Sequence, residues 1–339
     1  MKKKILLIGM GGTIASEITP DGLAPELTPE QLLAAVPVVS TVCDVDTLTL
    51  FSIDSTDVSP RHWLAAARTI RERYDDYDGF VISHGTDTMA YTAAALSYLI
   101  QQSPKPVILT GAQKPINFEN TDSKINLLDA FVVASADSMA GVHVVFNGDV
   151  ILGTRARKTR SKNFRAFSSI NYPLIANVQD GYFLQYIQQE KKERPVFYDT
   201  LNENVGLVKL IPITDAGLVR YMLDTKEAII IESFGVGGLP SAGRLHEDVR
   251  RAANQGKLIL MTTQVENEGS DIGVYHVGHA LKGHKNILEA YDMTTECVLA
   301  KAMWILGQTR DPGRIKKMFY EPVAMDLLRW EEETIADNV

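Results

Sequence analysis

Short apolar runs, each closed by glycine or by a cluster of small polar residues, recur along the first half of the chain. Ile5-Leu6-Leu7-Ile8 leads into Gly9-Met10-Gly11-Gly12-Thr13-Ile14, and Gly79-Phe80-Val81-Ile82-Ser83 and Pro106-Val107-Ile108-Leu109-Thr110 have the same form. Gly141 to Phe146 repeats it, whereas Asp46 to Ile53 alternates apolar and polar positions and ends in Asp54-Ser55-Thr56-Asp57. Continuous apolar runs of this length read as strands of a sheet covered on both faces. Helical stretches separate them. Thr28-Pro29-Glu30-Gln31 carries a cap, a proline at the first helical position and a glutamine three beyond the cap. Ser59-Pro60 opens a helix running to about Tyr74, another follows His84–Thr88 to about Gln101, and Asp122 to Ala136 supplies a third. This alternation predicts an α/β fold with a larger N-terminal, doubly wound, mostly parallel sheet.

Gln188 to Asn204 is polar and irregular, and reads as a linker. Beyond it, Val205–Ile211, Glu227–Glu232 and Lys257–Thr262 read as strands, with helices at Glu247–Asn254, Thr294–Leu306 and Asp311–Phe319. The expected division is an N-terminal domain over 1–187, a linker over 188–204 and a smaller C-terminal α/β domain over 205–339. A length of 339 residues suits two domains.

Composition narrows the function classes. No segment approaches the ~18 apolar residues of a membrane span. The run after Met1-Lys2-Lys3-Lys4 is shorter than the ~7–15 residues of a leader's core, so the expected location is cytoplasmic, away from membranes. A net charge of −8 argues against nucleic acid as the main partner. Arg155, Arg157, Lys158, Arg160, Lys162 and Arg165 nevertheless crowd into eleven residues. In an acidic protein such a run reads as a solvated or interface loop, from which one lysine could still reach a site. Cys43 and Cys297 have no redox or metal spacing, and Cys297, in a helical pattern, reads as a packed thiol.

The chemistry sits at strand ends. Thr13, Ser55-Thr56 and Thr86-Asp87 close three strands, and strand ends on one edge of a parallel sheet face one crevice. A hydroxyl nucleophile, a carboxylate for a substrate ammonium and backbone amides for an oxyanion suit acyl chemistry on a small polar substrate. Lys158 could help a hydroxyl lose its proton. Thr and Asp at these positions also serve simply as helix caps. A dinucleotide loop is disfavoured: Gly9-x-Gly11 lacks the last glycine, Ile14 standing there, and the next strand ends only near Asp54. Ala15 to Pro25 is rich in turn formers and reads as a mobile lid over the crevice. His84 reads as a locally bonded structural residue. His276, His279 and His284 lack the further ligand a metal site needs, and no cofactor is expected.

Gly11-Gly12-Thr13-Ile14, His84-Gly85-Thr86-Asp87-Thr88, Leu109-Thr110-Gly111-Ala112-Gln113 and Tyr291-Asp292-Met293-Thr294-Thr295-Glu296 together resemble the bacterial-type L-asparaginase family, the last segment its cytoplasmic type I branch. The resemblance implies hydrolysis of L-asparagine to aspartate and ammonia through an acyl-threonine, with weaker glutaminase activity and without metal or cofactor. It implies Thr13 as primary nucleophile, and Thr86, Asp87 and Lys158 as the second catalytic group. Ser55 and Asp87 would hold the substrate's α-carboxylate and α-amino groups, with Thr56 where many relatives have glutamine. Glu296 would reach the neighbouring subunit's site, which implies a homodimer or homotetramer. Cooperativity in the branch raises a second, allosteric asparagine site near a domain or subunit boundary.

Two positions depart from the family pattern. Leu23 stands where many relatives place a tyrosine bonded to the nucleophile, which leaves the base unidentified. Gly238, after Ser233-Phe234-Gly235-Val236-Gly237, offers no side chain where asparagine is common. Two other readings stay open: the asparaginase-like subunit of a tRNA-dependent amidotransferase, for which an extra N-terminal domain would be expected, and a non-catalytic amino-acid-binding module.

Overall fold

The computed structural model describes residues 2–20, 22–240, 244–273, 281 and 283–328. The chain opens with β1 (Lys4–Gly11), the hairpin β2 (Ser16–Thr19) and β3 (Gly22–Pro25), α1 (Pro29–Ala34), α2 (Val39–Val42) and β4 (Asp44–Ile53). Next come α3 (Pro60–Glu72), β5 (Gly79–Ser83), α4 (Met89–Leu99), β6 (Ile100–Gln101), β7 (Pro106–Thr110), α5 (Ser123–Ala134), β8 (Gly141–Phe146) and β9 (Asp149–Leu152). Then follow β10 (Ala156–Lys158), β11 (Phe167–Ser169), β12 (Ala176–Gln179), β13 (Tyr182–Gln185) and β14 (Val196–Phe197). The remainder is β15 (Val205–Lys209), α6 (Ala216–Thr225), β16 (Ala228–Ser233), α7 (Leu245–Asn254), β17 (Leu258–Thr263), β18 (Ile287–Glu289), α8 (Thr295–Gln308) and α9 (Pro312–Tyr320).

The large sheet has eight strands in the order β13-β12-β9-β8-β7-β5-β1-β4. From β4 to β8 every pairing is parallel, and from β8 to β13 every pairing is antiparallel. The second sheet, β15-β16-β17-β18, is all parallel. The chain is therefore α/β with a doubly wound, mostly parallel first sheet and a smaller parallel second one. β1 runs to β4 on one side and the chain returns as β5 on the other, so the winding reverses at β1. Ligands in such sheets bind outside the carboxyl ends at this reversal.

Alternation within strands builds the layers. Leu6, Ile8 and Met10 of β1 pack with Phe80, Ile82 and Leu109 against Trp63 and Ile70 of α3 and the body of α4. Ile5 and Leu7 point the other way, onto α5 through Leu127 and Phe131. The first cluster continues through Ile230 and Leu260 of the second sheet and through Trp304 and Ile305 of α8, so one apolar layer joins both sheets. Ile229 and Ile231 face outward, onto Val219 of α6 and Val249 of α7. The start signal before α1 is realised as a capping box: the Thr28 hydroxyl accepts from the Gln31 amide and the Gln31 side chain accepts from the Thr28 amide.

Three details refine these expectations. Within the stretch read as a lid, Ser16–Thr19 and Gly22–Pro25 pair as an antiparallel hairpin, with Ile18 opposite Leu23 and both side chains exposed. Within the stretch read as linker, Val196 and Phe197 pair with Gln101 and Ile100. The basic run is not uniformly solvated, since Arg155 is fully buried.

Ile8 is fully buried in the strand that delivers Thr13. Ile8→Ala should lower unfolding stability by about 2–5 kcal/mol, read as a displaced midpoint in denaturant titration. A loss below ~1 kcal/mol would mean this strand is less enclosed than the packing shows.

Candidate active site

Three turns touch at the carboxyl ends of β4, β1 and β5. Gly11 and Gly12 have φ of 86° and 80°, a region that admits glycine readily and other residues poorly. The Gly12 amide donates to the Ile53 carbonyl at 3.0 Å. A Cβ on Gly12 would run into the backbone of Gly85, and one on Gly85 into the Ser55 side chain. Contact this close brings Thr13, Thr86 and Ser55 to one crevice.

Lys158 reaches the same place from the end of β10. Its Nζ donates to Thr86 Oγ1 at 2.7 Å and to Asp87 Oδ1 at 2.6 Å. The lysine side chain is 16% exposed and the aspartate side chain 57%, so the carboxylate looks out into the crevice while the amine lies beneath it. The Thr86 hydroxyl, itself buried, donates to Gln113 Oε1 at 3.4 Å. Gln113, marked in the sequence only as part of a motif, thus supports the same hydroxyl. No hydrogen bond among the described residues ties the Thr13 hydroxyl, which leaves it free to meet a substrate.

Ser55 is buried in the turn after β4, where Asp54 caps the following residues. Its Oγ accepts from the Asp87 amide at 3.3 Å, and its carbonyl accepts from the Thr88 hydroxyl at 2.7 Å. The Ser55 hydroxyl proton remains available for an anionic acceptor. Thr56 sits in the same turn, but its hydroxyl donates to Asp54 Oδ1 at 2.7 Å. Glu296, in the first turn of α8, is buried, with Oε1 3.8 Å from Arg157 Nε and Oε2 without a partner. Burial pushes its carboxyl pKa up, against the pull of Arg157.

His84 is no general base. It is fully enclosed, its Nδ1 lies 2.6 Å from the Gly85 carbonyl and its Nε2 2.9 Å from the Thr92 hydroxyl, which also accepts from the Trp63 indole at 3.0 Å. The network assigns a neutral ring protonated at Nδ1, and burial pulls its pKa down to about 4. The basic run divides by partner: Arg155 is paired with Asp292 and Arg157 lies near Glu266 and Glu296, while Arg160, Lys162 and Arg165 are exposed. His276 and His279 lie outside the described residues. His284 Nε2 lies 3.0 Å from Asn254 Oδ1, and no metal-binding cluster occurs among the described residues.

Two outcomes follow from this geometry. Gly12→Ala should leave a folded protein that has lost at least about 90% of the activity proposed below, because the new methyl pushes Thr13 and Thr86 apart; near-normal turnover would refute the close approach. An unfolded imidazole titrates near 6.5 and the folded one near 4, so the stability His84 provides is full above pH 6.5 and is lost as pH falls toward 4. His84→Gln should therefore reduce the stability difference between pH 7 and pH 4 by on the order of 3 kcal/mol, measured by denaturant titration at both pH values.

Known proteins match this chain over most of its length. The asparaginase N-terminal family model matches residues 4–191, and the glutaminase/asparaginase C-terminal domain model matches residues 204–319. The L-asparaginase of Thermococcus kodakarensis is 36% identical over 327 residues, covering 96% of this chain and 99% of the relative. L-asparaginase 1 of Escherichia coli is 32% identical, covering 93% and 95%. A glutamyl-tRNA(Gln) amidotransferase subunit of Pyrococcus furiosus is also 36% identical, covering 93% of this chain but 74% of the relative. Among solved structures, the thermostable L-asparaginase of Thermococcus kodakarensis superposes with a TM-score of 0.91 at 37% identity, covering 96% of this chain and all of that one. L-asparaginase I of Vibrio cholerae gives 0.87 at 28%, covering 97% and 100%. With both family models matched in order and the threonine crevice built at the reversal of the sheet, the chain belongs to the bacterial-type L-asparaginase family.

Proposed function

We propose that the protein is an L-asparagine amidohydrolase, releasing L-aspartate and ammonia through an acyl-threonine. The observation that carries the reading is the Lys158–Thr86–Asp87 cluster, bonded at 2.7 and 2.6 Å, beside an unencumbered Thr13. Thr13 Oγ1 attacks the side-chain amide carbon and gives up its proton, the tetrahedral oxyanion rests on backbone amides, and the C–N bond breaks as the nitrogen takes that proton and leaves as ammonia. Water then attacks the acyl-threonine, giving a proton to the Thr86–Lys158 pair once the Thr86 hydroxyl turns from Gln113 toward Lys158, and the acyl C–O bond breaks as a proton returns to Thr13 Oγ1. Ser55 offers its hydroxyl to the α-carboxylate, and Asp87 its exposed Oδ2 edge to the α-ammonium. Thr56 borders the same pocket, and Glu296 completes the α-amino site of a neighbouring subunit in a homodimer or homotetramer.

The remaining assignments belong to the same reading. Residues 1–187 form the domain carrying the threonines, 188–204 the linker and 205–339 the smaller domain. The protein works in the cytoplasm; no helix among the described residues is long and apolar enough to cross a membrane. Leu23, exposed on the hairpin, makes no polar contact with Thr13, so the Lys158–Thr86 pair carries more of the proton transfer. Equal identity to an amidotransferase subunit and to an L-asparaginase leaves that second reading to experiment, through co-purification with a partner subunit or tRNA.

Purified protein should release ammonia from L-asparagine faster than from L-glutamine. Thr13→Ala should reduce the rate by at least about a thousandfold, and Lys158→Met by roughly 10²–10⁴, with folding checked by circular dichroism. Full activity in Thr13→Ala would transfer the nucleophile to Thr86, and no release by the unmodified protein would remove the amidohydrolase reading.

A further inference from the structure

Lys158 is held in the crevice by a strand whose own anchor lies outside it. Three residues upstream, Arg155 is fully buried, with Nη2 2.9 Å from Asp292 Oδ2. Its Nη1 donates to the Asp292 carbonyl at 2.9 Å and its Nε to the Met325 carbonyl at 2.7 Å. The preceding residue is fastened too: the Thr154 hydroxyl donates to the Ala324 carbonyl at 2.7 Å. Asp292 is gripped in return, since its carbonyl also accepts from Asn171 Nδ2 at 3.0 Å and its carboxylate from the Leu328 amide at 3.2 Å.

Side chains alternate along an extended strand. Arg155 closes the turn just before β10, its amide donating to the Leu152 carbonyl at 2.9 Å, and its side chain lies against Asp292; within the strand, Arg157 lies near Glu296, while Lys158, on the opposite face, meets Thr86 and Asp87. Arg155 immediately precedes the three-residue strand that ends in Lys158 and pairs with β11, a connection short and stiff enough that the anchor sets where the amine stands. A planar guanidinium hydrogen-bonded to two carbonyls and ion-paired with a carboxylate fixes direction as well as distance, through the two carbonyl bonds, which an ammonium does less well.

We infer that Arg155 and Asp292 are a positioning pair for the reaction: they set the placement of Lys158 against Thr86 Oγ1 and tie it to the start of α8, which carries Glu296. The inference rests on the reading of Lys158 as part of the second catalytic group. Neither residue touches the crevice, and both act through the β10 strand.

Arg155→Lys keeps the charge but not the fork, Asp292→Asn keeps the shape but not the charge, and Tyr74→Phe serves as a control, removing a buried hydroxyl bonded to Ser103. For asparagine hydrolysis, Arg155→Lys and Asp292→Asn should each lower kcat at least tenfold with KM changed less than threefold, and should displace the pH–rate profile. Tyr74→Phe should lower the melting temperature while leaving kcat and the pH profile as they were. Arg155→Lys and Asp292→Asn proteins with unchanged kcat and pH profile, beside an inactive Lys158→Met, would overturn the positioning role alone. If Arg155→Lys fails to fold, Asp292→Asn decides the positioning role by the same two readouts. An active Lys158→Met would instead strike down the catalytic reading of Lys158, and this inference with it.

Discussion

The contact between two backbones, Gly12 on Gly85, is the constraint on which the site depends. Neighbouring strands lie about 4.8 Å apart, a spacing that side chains at the strand ends would normally keep open. Here both turns present glycine, and Gly85 in turn seats against Ser55, so three loops close into one surface. The parallel order β4-β1-β5 supplies the reversal, and the glycines turn that gap into a crevice lined by hydroxyls. The buried layers on either face of the sheet keep those strand ends in register.

Much of this is legible in the sequence because it is local. Parallel strands announce themselves as uninterrupted apolar runs, and the capping box before α1 is written in four consecutive residues. The hairpin β2–β3 is not legible, because its pairing is set by backbone bonds between residues that each favour turns. Helix α6 escapes the pattern of apolar positions, although Asp215 caps it through the amides of Gly217 and Leu218. At the site, strand ends point to Thr13, Ser55, Thr86 and Asp87, whereas Lys158 is reached chiefly through family resemblance. The run from Arg155 to Arg165 looks uniform, yet its members go to three environments. Arg165 pairs with nearby Asp149, but the partners of Lys158, Arg157 and Arg155, namely Asp87, Glu296 and Asp292, are separated from them by some seventy residues or more than a hundred, and charge spacing alone carries no such information.

Buried ions give the fold specificity rather than simple adhesion. Arg155–Asp292 and Lys301–Asp326 are both enclosed pairs, the latter at 2.6 Å with Tyr98 bonded to the same carboxylate. Desolvation offsets much of the attraction in such pairs, while removal of one member is costly because it leaves a naked charge. Cys297 sits inside this second cluster, 2.8 Å from the Tyr98 hydroxyl. Burial pushes its thiol pKa well up, so it packs as a neutral group. Together the two pairs dock the segment after α9 onto α4, α8 and the base of the lysine strand.

The anchoring of Arg155 also bears on how lineages drift. Two of its three partners are main-chain carbonyls, those of Asp292 and Met325, which persist whatever side chain stands there. Position 325 is thus released from selection by this contact, while position 155 stays bound by all three. Covariation between sites would register the 155–292 pair and miss the rest, so the segment after α9 would look evolutionarily unconnected to the lysine whose strand it holds.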